Sequence, residues 1–320
     1  MTTNGTASTS SKVPPAGIWA PAVTFFDHDK DELDLVSQAK YYKYLSQHLT
    51  GLVILGTNAE TFMLTRDERA QLLKTAREAV GPDYPIMAGV GGHSTRQVLE
   101  FIQDAVAAKA DYVLVLPCAY FGKQTTASVI TNFYDEVAQK SPLPIVIYNF
   151  PGVCNGIDID SDVMTNLANR HKNIVGTKLT CASVGKITRL AATFPSTEFA
   201  TYGGQSDFLI GGLAVGSAGC IAAFANIFPK TISRIYSLYK SGQVDEAMKL
   251  HRIAANAESF SKAGIANTKF AASVTSARYA GIEDAERKLL PRRPYEGPSE
   301  KVKGEIRGKM AEMIGIEEAL

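Results

Sequence analysis

Ile145-Val146-Ile147-Tyr148-Asn149-Phe150-Pro151-Gly152 and, further along, Ile174-Val175-Gly176-Thr177-Lys178-Leu179 are the two stretches on which the fold is decided. Each is short and almost continuously apolar until it reaches a residue that can carry chemistry. A parallel strand covered by helices leaves neither face to water, so it reads as an unbroken apolar run rather than an alternating one. Working outward, runs of the same kind recur at 18–23, 52–55, 86–88 and 112–116 on one side, and at 199–202 and 220–224 on the other.

Amphipathic stretches separate these runs. Val98, Phe101, Ile102, Ala105 and Val106 keep the spacing of one buried helical stripe, as do Val184, Ile187, Leu190, Ala191 and Phe194. Thr65 with Glu68 forms a T-x-x-E capping box at a helix start. Eight strands alternating with helices predict a parallel α/β fold. About 210 residues for eight units suit a closed (β/α)8 TIM barrel better than an open sheet. Residues 17–240 are therefore assigned to the barrel. From 241 to 320 the pattern turns helical, at 244–260, 266–279 and 299–314, and predicts a C-terminal helical extension. Pro291-Arg292-Arg293-Pro294-Tyr295-Glu296-Gly297-Pro298 reads as a stiff linker before the last helix.

The bulk composition narrows the function. A net charge of +1 over 320 residues offers no electrostatic reason to expect nucleic acid or a membrane surface as partner. No apolar run is long enough for a membrane span. Cysteines at 118, 154, 181 and 220 form no C-x-x-C pair, and the histidines show no metal-binding spacing, so neither disulfides nor a metal or other cofactor are expected. Residues 1–16 are Ser/Thr-rich, with one lysine, no arginine and no apolar core. They read as a disordered tail, and the protein as cytoplasmic.

Catalytic residues of a barrel sit at the carboxyl ends of its strands. Lys178 is the only lysine at such a position. A lysine inside a barrel mouth loses solvation, which disfavours its ammonium form and frees the amine to attack a carbonyl. Position alone leaves open a lysine extended to solvent. Tyr148 ends the neighbouring strand, close enough to share a cavity and exchange protons with a carbinolamine; a rim tyrosine in water is the alternative. Thr57 and Asn58 follow the second strand, where a turn exposes N–H groups to a carboxylate, or makes only local turn bonds. Other signals fail. The glycines at 89, 91 and 92 lack G-x-G-x-x-G spacing and read as a βα loop, and neither a phosphate loop nor a G-x-S-x-G elbow occurs. Tyr41, Tyr42 and Tyr44 read as helix packing.

Five motifs stand in a recognisable order: G-T-N-A-E (56–60), L-P-C-A-Y-F (116–121), Y-N-F-P-G (148–152), V-G-T-K (175–178) and G-C-I-A-A-F-A-N (219–226). Together they resemble the dihydrodipicolinate synthase / N-acetylneuraminate lyase superfamily of class I aldolases. The resemblance implies Lys178 as the imine-forming lysine and Tyr148 as general acid/base. It implies that Thr57 links Tyr148 to Tyr120 of a neighbouring subunit. The backbone at Thr57 and Asn58 would hold the carboxylate of pyruvate. Thr180, Gly204 and the carbonyl of Ile221 would line the pocket, and a homo-oligomer, dimer or tetramer, is implied.

The departures point to a branch. The synthases carry an arginine shortly after Y-N-x-P to grip a second carboxylate, and Gly152-Val153-Cys154-Asn155 has none. Asn58 after Thr57, together with V-G-T-K-L-T and Pro117-Cys118, is similar to the 4-hydroxy-2-oxoglutarate aldolases and the fungal 2-keto-3-deoxy-L-galactonate aldolases. Ala59 replaces a usual glycine; if that turn needs a positive φ, alanine costs about 1 kcal/mol. The implied reaction is cleavage of a 4-hydroxy-2-oxo acid into pyruvate and an aldehyde, with a 2-keto-3-deoxy sugar acid slightly favoured over 4-hydroxy-2-oxoglutarate. A Schiff-base dehydratase, a synthase-like condensing enzyme and a non-catalytic 2-oxo acid binding barrel are the alternatives.

Overall fold

The computed structural model describes residues 13–320. Every predicted apolar run contributes a strand: β1 (Gly17–Pro21), β2 (Gly51–Ile54), β3 (Ile86–Gly89), β4 (Tyr112–Val115), β5 (Ile145–Asn149), β6 (Ile174–Leu179), β7 (Ala200–Gly203) and β8 (Gly219–Ile221). All pair in parallel with their chain neighbours, and β1 closes the barrel against β8. The architecture is the (β/α)8 barrel.

Alternation along the strands sorts side chains into two separate clusters. Trp19, Val53, Met87, Leu114, Val146 and Tyr202 fill the interior. Ile18, Ala20, Leu52, Ile54, Val113 and Ile147 meet the surrounding helices. Trp19 is fully buried, and its indole lies 6.3 Å from the rings of both Tyr112 and Tyr202 in edge-on contacts. It fits because Gly51 stands beside it on β2, where a Cβ would come within 2.4 Å of the indole.

The barrel's amino end is closed by residues 13–16, which corrects the expectation of a disordered tail through Ala16. Trp19 Nε1 donates to the carbonyl of Pro15 at 3.1 Å, and the Tyr202 hydroxyl lies 2.9 Å from the carbonyls of Pro14 and Pro15. Apolar Val13 and the prolines supply acceptors to buried donors that the barrel cannot satisfy by itself. The tail expected over 1–12 lies outside the described residues.

Helices follow the strands: α1 (Leu35–Ser46), α2 (Arg66–Val80), α3 (Thr95–Ala107), α4 (Ala127–Lys140), α5 (Ser161–Arg170), α6 (Val184–Thr193), α7 (Leu209–Ala214) and α8 (Pro229–Lys240). Thr65 and Glu68 form the anticipated capping box of α2. Tyr41 and Tyr42 are buried on α1, and the Tyr41 hydroxyl donates to the Asn226 carbonyl at 2.7 Å. Two strands end earlier than expected. After Pro21 the backbone turns to side-chain partners, the Val23 N–H donating to Asn226 Oδ1 at 3.2 Å and the Phe25 N–H to Gln38 Oε1 at 3.0 Å. After Ile221 the chain enters a tight 3-10 turn, Ala223–Asn226. A short hairpin, Phe26–Asp27 against Glu32–Leu33, was not anticipated.

The C-terminal extension comprises α9 (Val244–Glu258), α10 (Ile265–Val274), α11 (Ser276–Tyr279), α12 (Ala285–Lys288) and α13 (Glu300–Ala319). The single helix expected over 266–279 is broken at Thr275, whose backbone leaves the helical region while its hydroxyl bonds the Ala271 carbonyl at 2.8 Å. Helix α8 begins without a capping side chain of its own. Glu317 of α13 substitutes, accepting from the N–H groups of Lys230 at 3.0 Å and Thr231 at 2.8 Å. No helix among the described residues is long and apolar enough to cross a membrane.

Candidate active site

Lys178 and Tyr148 are direct register partners on β6 and β5, so their side chains leave the sheet at one height and on one face. Both are buried, with only 2% and 3% of their surface exposed, although they stand at the open end of the barrel. Lys178 Nζ lies 4.2 Å from the centre of the Tyr148 ring. No carboxylate among the described residues is ion-paired with it. The Tyr148 hydroxyl is 3.4 Å from Thr57 Oγ1. The phenol and the Thr57 hydroxyl thus form a pair that can pass a proton, with the buried amine lying against the face of the phenol's ring.

The loops that present these groups are pinned by side chains. Asn149 donates to Asp158 Oδ1 at 2.7 Å and accepts from the Ile159 N–H at 2.9 Å, folding the loop after β5 back on itself. Thr57 opens a 3-10 turn, Thr57–Ala59, held from below by the Thr24 hydroxyl on the Ala59 carbonyl at 2.8 Å. The suspected strain at Ala59 does not arise, since the left-handed residue is Glu60, at φ 57°. Its carboxylate is buried, 2.5 Å from Lys269 Nζ and 2.8 Å from the Arg292 N–H. Burial pulls the Lys269 pKa down, with Glu60 opposing that shift.

A cavity of about 360 Å³ opens above this set. Of the residues expected from the sequence, Thr57, Asn58, Tyr148, Lys178, Thr180 and Gly204 line it. The Thr180 hydroxyl is buried there without a hydrogen-bond partner among the described residues. Gly204 is required beside it, because a Cβ would come within 2.1 Å of Thr180 Oγ1. Two expected residues, Ile221 for its carbonyl and Tyr120 for a neighbouring subunit, are not in this lining. Ile221 is wholly buried at the end of β8, and Ala223, two residues on, lines the cavity. Tyr120 is 71% exposed, its ring 5.7 Å from His93 and 5.3 Å from Phe121, and lies outside its own chain's cavity. A larger groove of about 530 Å³ runs along residues 26–36 on the outer surface. Its lysines and arginine are ion-paired, Lys30 with Asp27, Arg287 with Asp29 and Lys288 with Asp34, and it holds none of the expected residues.

The sequence reading missed the wall supplied by the extension: Glu258, Ser261, Lys262, Ile265 and Thr268. Glu258 is 1% exposed and accepts from the Ser206 hydroxyl at 2.6 Å and the Ser206 N–H at 3.1 Å. Burial pushes its carboxyl up to about 7. Lys262 is ion-paired with Asp207. No motif announces these residues; only their position on helices packed over the barrel mouth brings them in. No group of three or more His, Cys, Asp or Glu among the described residues is arranged to hold a metal.

The model of the dihydrodipicolinate synthetase family matches residues 14–311. The chain belongs to this family. Within it, a Coccidioides immitis protein named as a mitochondrial 4-hydroxy-2-oxoglutarate aldolase is 69% identical over 310 residues, covering 97% of this chain and 99% of that protein. An L-threo-3-deoxy-hexylosonate aldolase of Hypocrea jecorina is 37% identical over 319 residues, covering 96% of this chain and 98% of that one. The crystal structure of a dihydrodipicolinate synthase family protein from Coccidioides immitis superposes with a TM-score of 0.92 at 66% identity, over 97% of this chain and 99% of the other. The name of the first relative overturns the cytoplasmic expectation. The missing arginines outweighed the Ser/Thr richness and the absence of acidic residues in 1–16, which are equally features of organellar leaders.

Proposed function

We propose that this family member is a Schiff-base aldolase that splits a 4-hydroxy-2-oxo acid into pyruvate and an aldehyde. The observation that carries the reading is the Lys178 amine, buried beside the Tyr148 ring, with Thr57 at the phenol. The carboxylate of the substrate sits on the turn at Thr57 and Asn58. Lys178 Nζ adds to the C2 ketone, and Tyr148 returns a proton to the carbinolamine oxygen so that it leaves as water, giving the protonated imine. Tyr148, relayed through Thr57, takes the proton of the C4 hydroxyl. The C3–C4 electron pair moves into the imine as an enamine, and the aldehyde departs. Protonation at C3 and hydrolysis release pyruvate and restore the amine. Thr180, with its unpartnered hydroxyl, and Gly204 shape the wall beside the imine.

The relay is completed by a second copy of the chain, in a dimer or tetramer. Tyr120 stands outside its own cavity, in an exposed aromatic patch with Phe62, His93 and Phe121, the kind of surface that a neighbouring subunit covers. Borohydride reduction in the presence of pyruvate tests the central step. It is expected to add the reduced pyruvate unit to Lys178 and to leave a Lys178→Ala variant unlabelled and inactive. An active Lys178→Ala enzyme refutes the proposal.

A further inference from the structure

On the Schiff-base reading, the pyruvate unit is held at Lys178 and the turn at Thr57 and Asn58. The part of the substrate that leaves as the aldehyde then meets the remaining, outer part of the lining, much of which comes from outside the barrel. Glu258 ends α9, Ser261 and Lys262 lie in the 3-10 turn Ser259–Ala263, and Thr268 stands on α10. Gln205 and Val153 complete this side.

The charges on this wall are unequal. Each oxygen of Glu258 accepts a single hydrogen bond, from Ser206, which leaves acceptor capacity, and no lysine or arginine among the described residues bonds to it. Among the described residues, Lys262 is the only cation besides Lys178 in the lining, and Asp207 already holds it. The other oxygen of Asp207 is buried without a partner among the described residues. Where a synthase would carry an arginine, Val153 offers only methyl groups. A second carboxylate entering this space meets no spare cation and the carboxyl of Glu258, whereas hydroxyl groups meet acceptors in Glu258, Gln205, Ser261 and Thr268.

We propose that this wall reads the hydroxyl-bearing tail of a 2-keto-3-deoxy sugar acid, and that Glu258 is the residue that discriminates against substrates with a second carboxylate. The inference rests on the Schiff-base reading of Lys178 and names the substrate class of that same site. With its carboxyl held up to about 7 by burial, Glu258 both donates to and accepts from hydroxyls near neutral pH, and its repulsion of a dianion grows as the pH rises past that point.

The test compares pyruvate release from a 2-keto-3-deoxy-hexonate and from 4-hydroxy-2-oxoglutarate by the full-length wild type, Glu258→Gln and Lys262→Met. The wild type is expected to favour the sugar acid. Glu258→Gln should lower kcat/KM on the sugar acid and raise it on the dicarboxylate, moving their ratio by about 10- to 100-fold. An equal loss on both substrates reduces Glu258 to a structural role and overturns the proposal. So does a wild-type preference for 4-hydroxy-2-oxoglutarate that Lys262→Met abolishes. Should Glu258→Gln fail to fold, Ser261→Ala reads the same ratio and must move it in the same direction. Borohydride trapping of pyruvate on Lys178 in each sample separates the two levels: intact trapping with an unmoved ratio sinks the wall alone, and lost trapping in the wild type sinks the aldolase reading beneath it.

Discussion

Replacing Lys269 by methionine probes how the barrel mouth is tied to the C-terminal extension. The Lys269–Glu60 pair is sealed, with side-chain exposures of 0% and 2%. Lys269 also donates to the Leu290 carbonyl at 2.9 Å and stands 4.7 Å from the Phe26 ring. Methionine fits a similar volume but strands the Glu60 carboxylate with the single N–H of Arg292 as remaining partner. Removing one member of a buried pair costs about 3–5 kcal/mol, most of it the penalty of an uncompensated charge. Glu60→Gln together with Lys269→Met removes that charge, and replacing a buried pair by neutral groups is often close to neutral, so the double variant should recover to within about 2 kcal/mol of the wild type. Urea denaturation followed by circular dichroism measures both. Because Glu60 ends the turn that carries Thr57 and Asn58, the single variant should also raise KM for the 2-oxo acid more than it lowers kcat. A loss below about 1 kcal/mol in the single variant, or a double variant as unstable as the single, would refute the reasoning.

Two other outcomes follow from the site. Tyr148→Phe removes the proton relay but keeps the ring beside Lys178, so kcat should fall by about 10²- to 10⁴-fold with the fold intact; a fall under tenfold, measured as pyruvate release, removes Tyr148 from the mechanism. Glu258 holds its proton up to about 7 in the folded chain but only to its ordinary value of 4.5 when unfolded. The folded state thus binds the extra proton across that window, and stability falls as pH rises through it, by up to roughly 3 kcal/mol, then levels off. Glu258→Gln should abolish this slope, and an unchanged difference between wild type and variant from about pH 5 to about pH 8 contradicts it.

The amino-acid sequence alone determined the barrel and the meeting of Lys178 with Tyr148 at its mouth. Strands buried on both faces are written as local apolar runs, and a lysine or tyrosine at the end of such a run points to the barrel mouth whatever the rest of the chain does. The match of Tyr148 with Lys178 was readable for the same reason, since neighbouring units of a parallel barrel align their carboxyl ends. Strand ends were less legible, because side chains outside the strand, Asn226 some two hundred residues away and Gln38 on the following helix, take over hydrogen bonds that the ladder would otherwise supply. Composition misread residues 13–16, whose carbonyls only become useful once Trp19 and Tyr202 meet at the barrel floor. The same holds for Glu258, Lys262 and the Glu60–Lys269 pair. Their partners are brought in by helices folding back over the mouth, and no local spacing encodes contacts made across 52, 55 and 209 residues. Tertiary structure therefore decided what the outer half of the cavity offers a substrate, while the primary sequence had already decided which amine waits at its base.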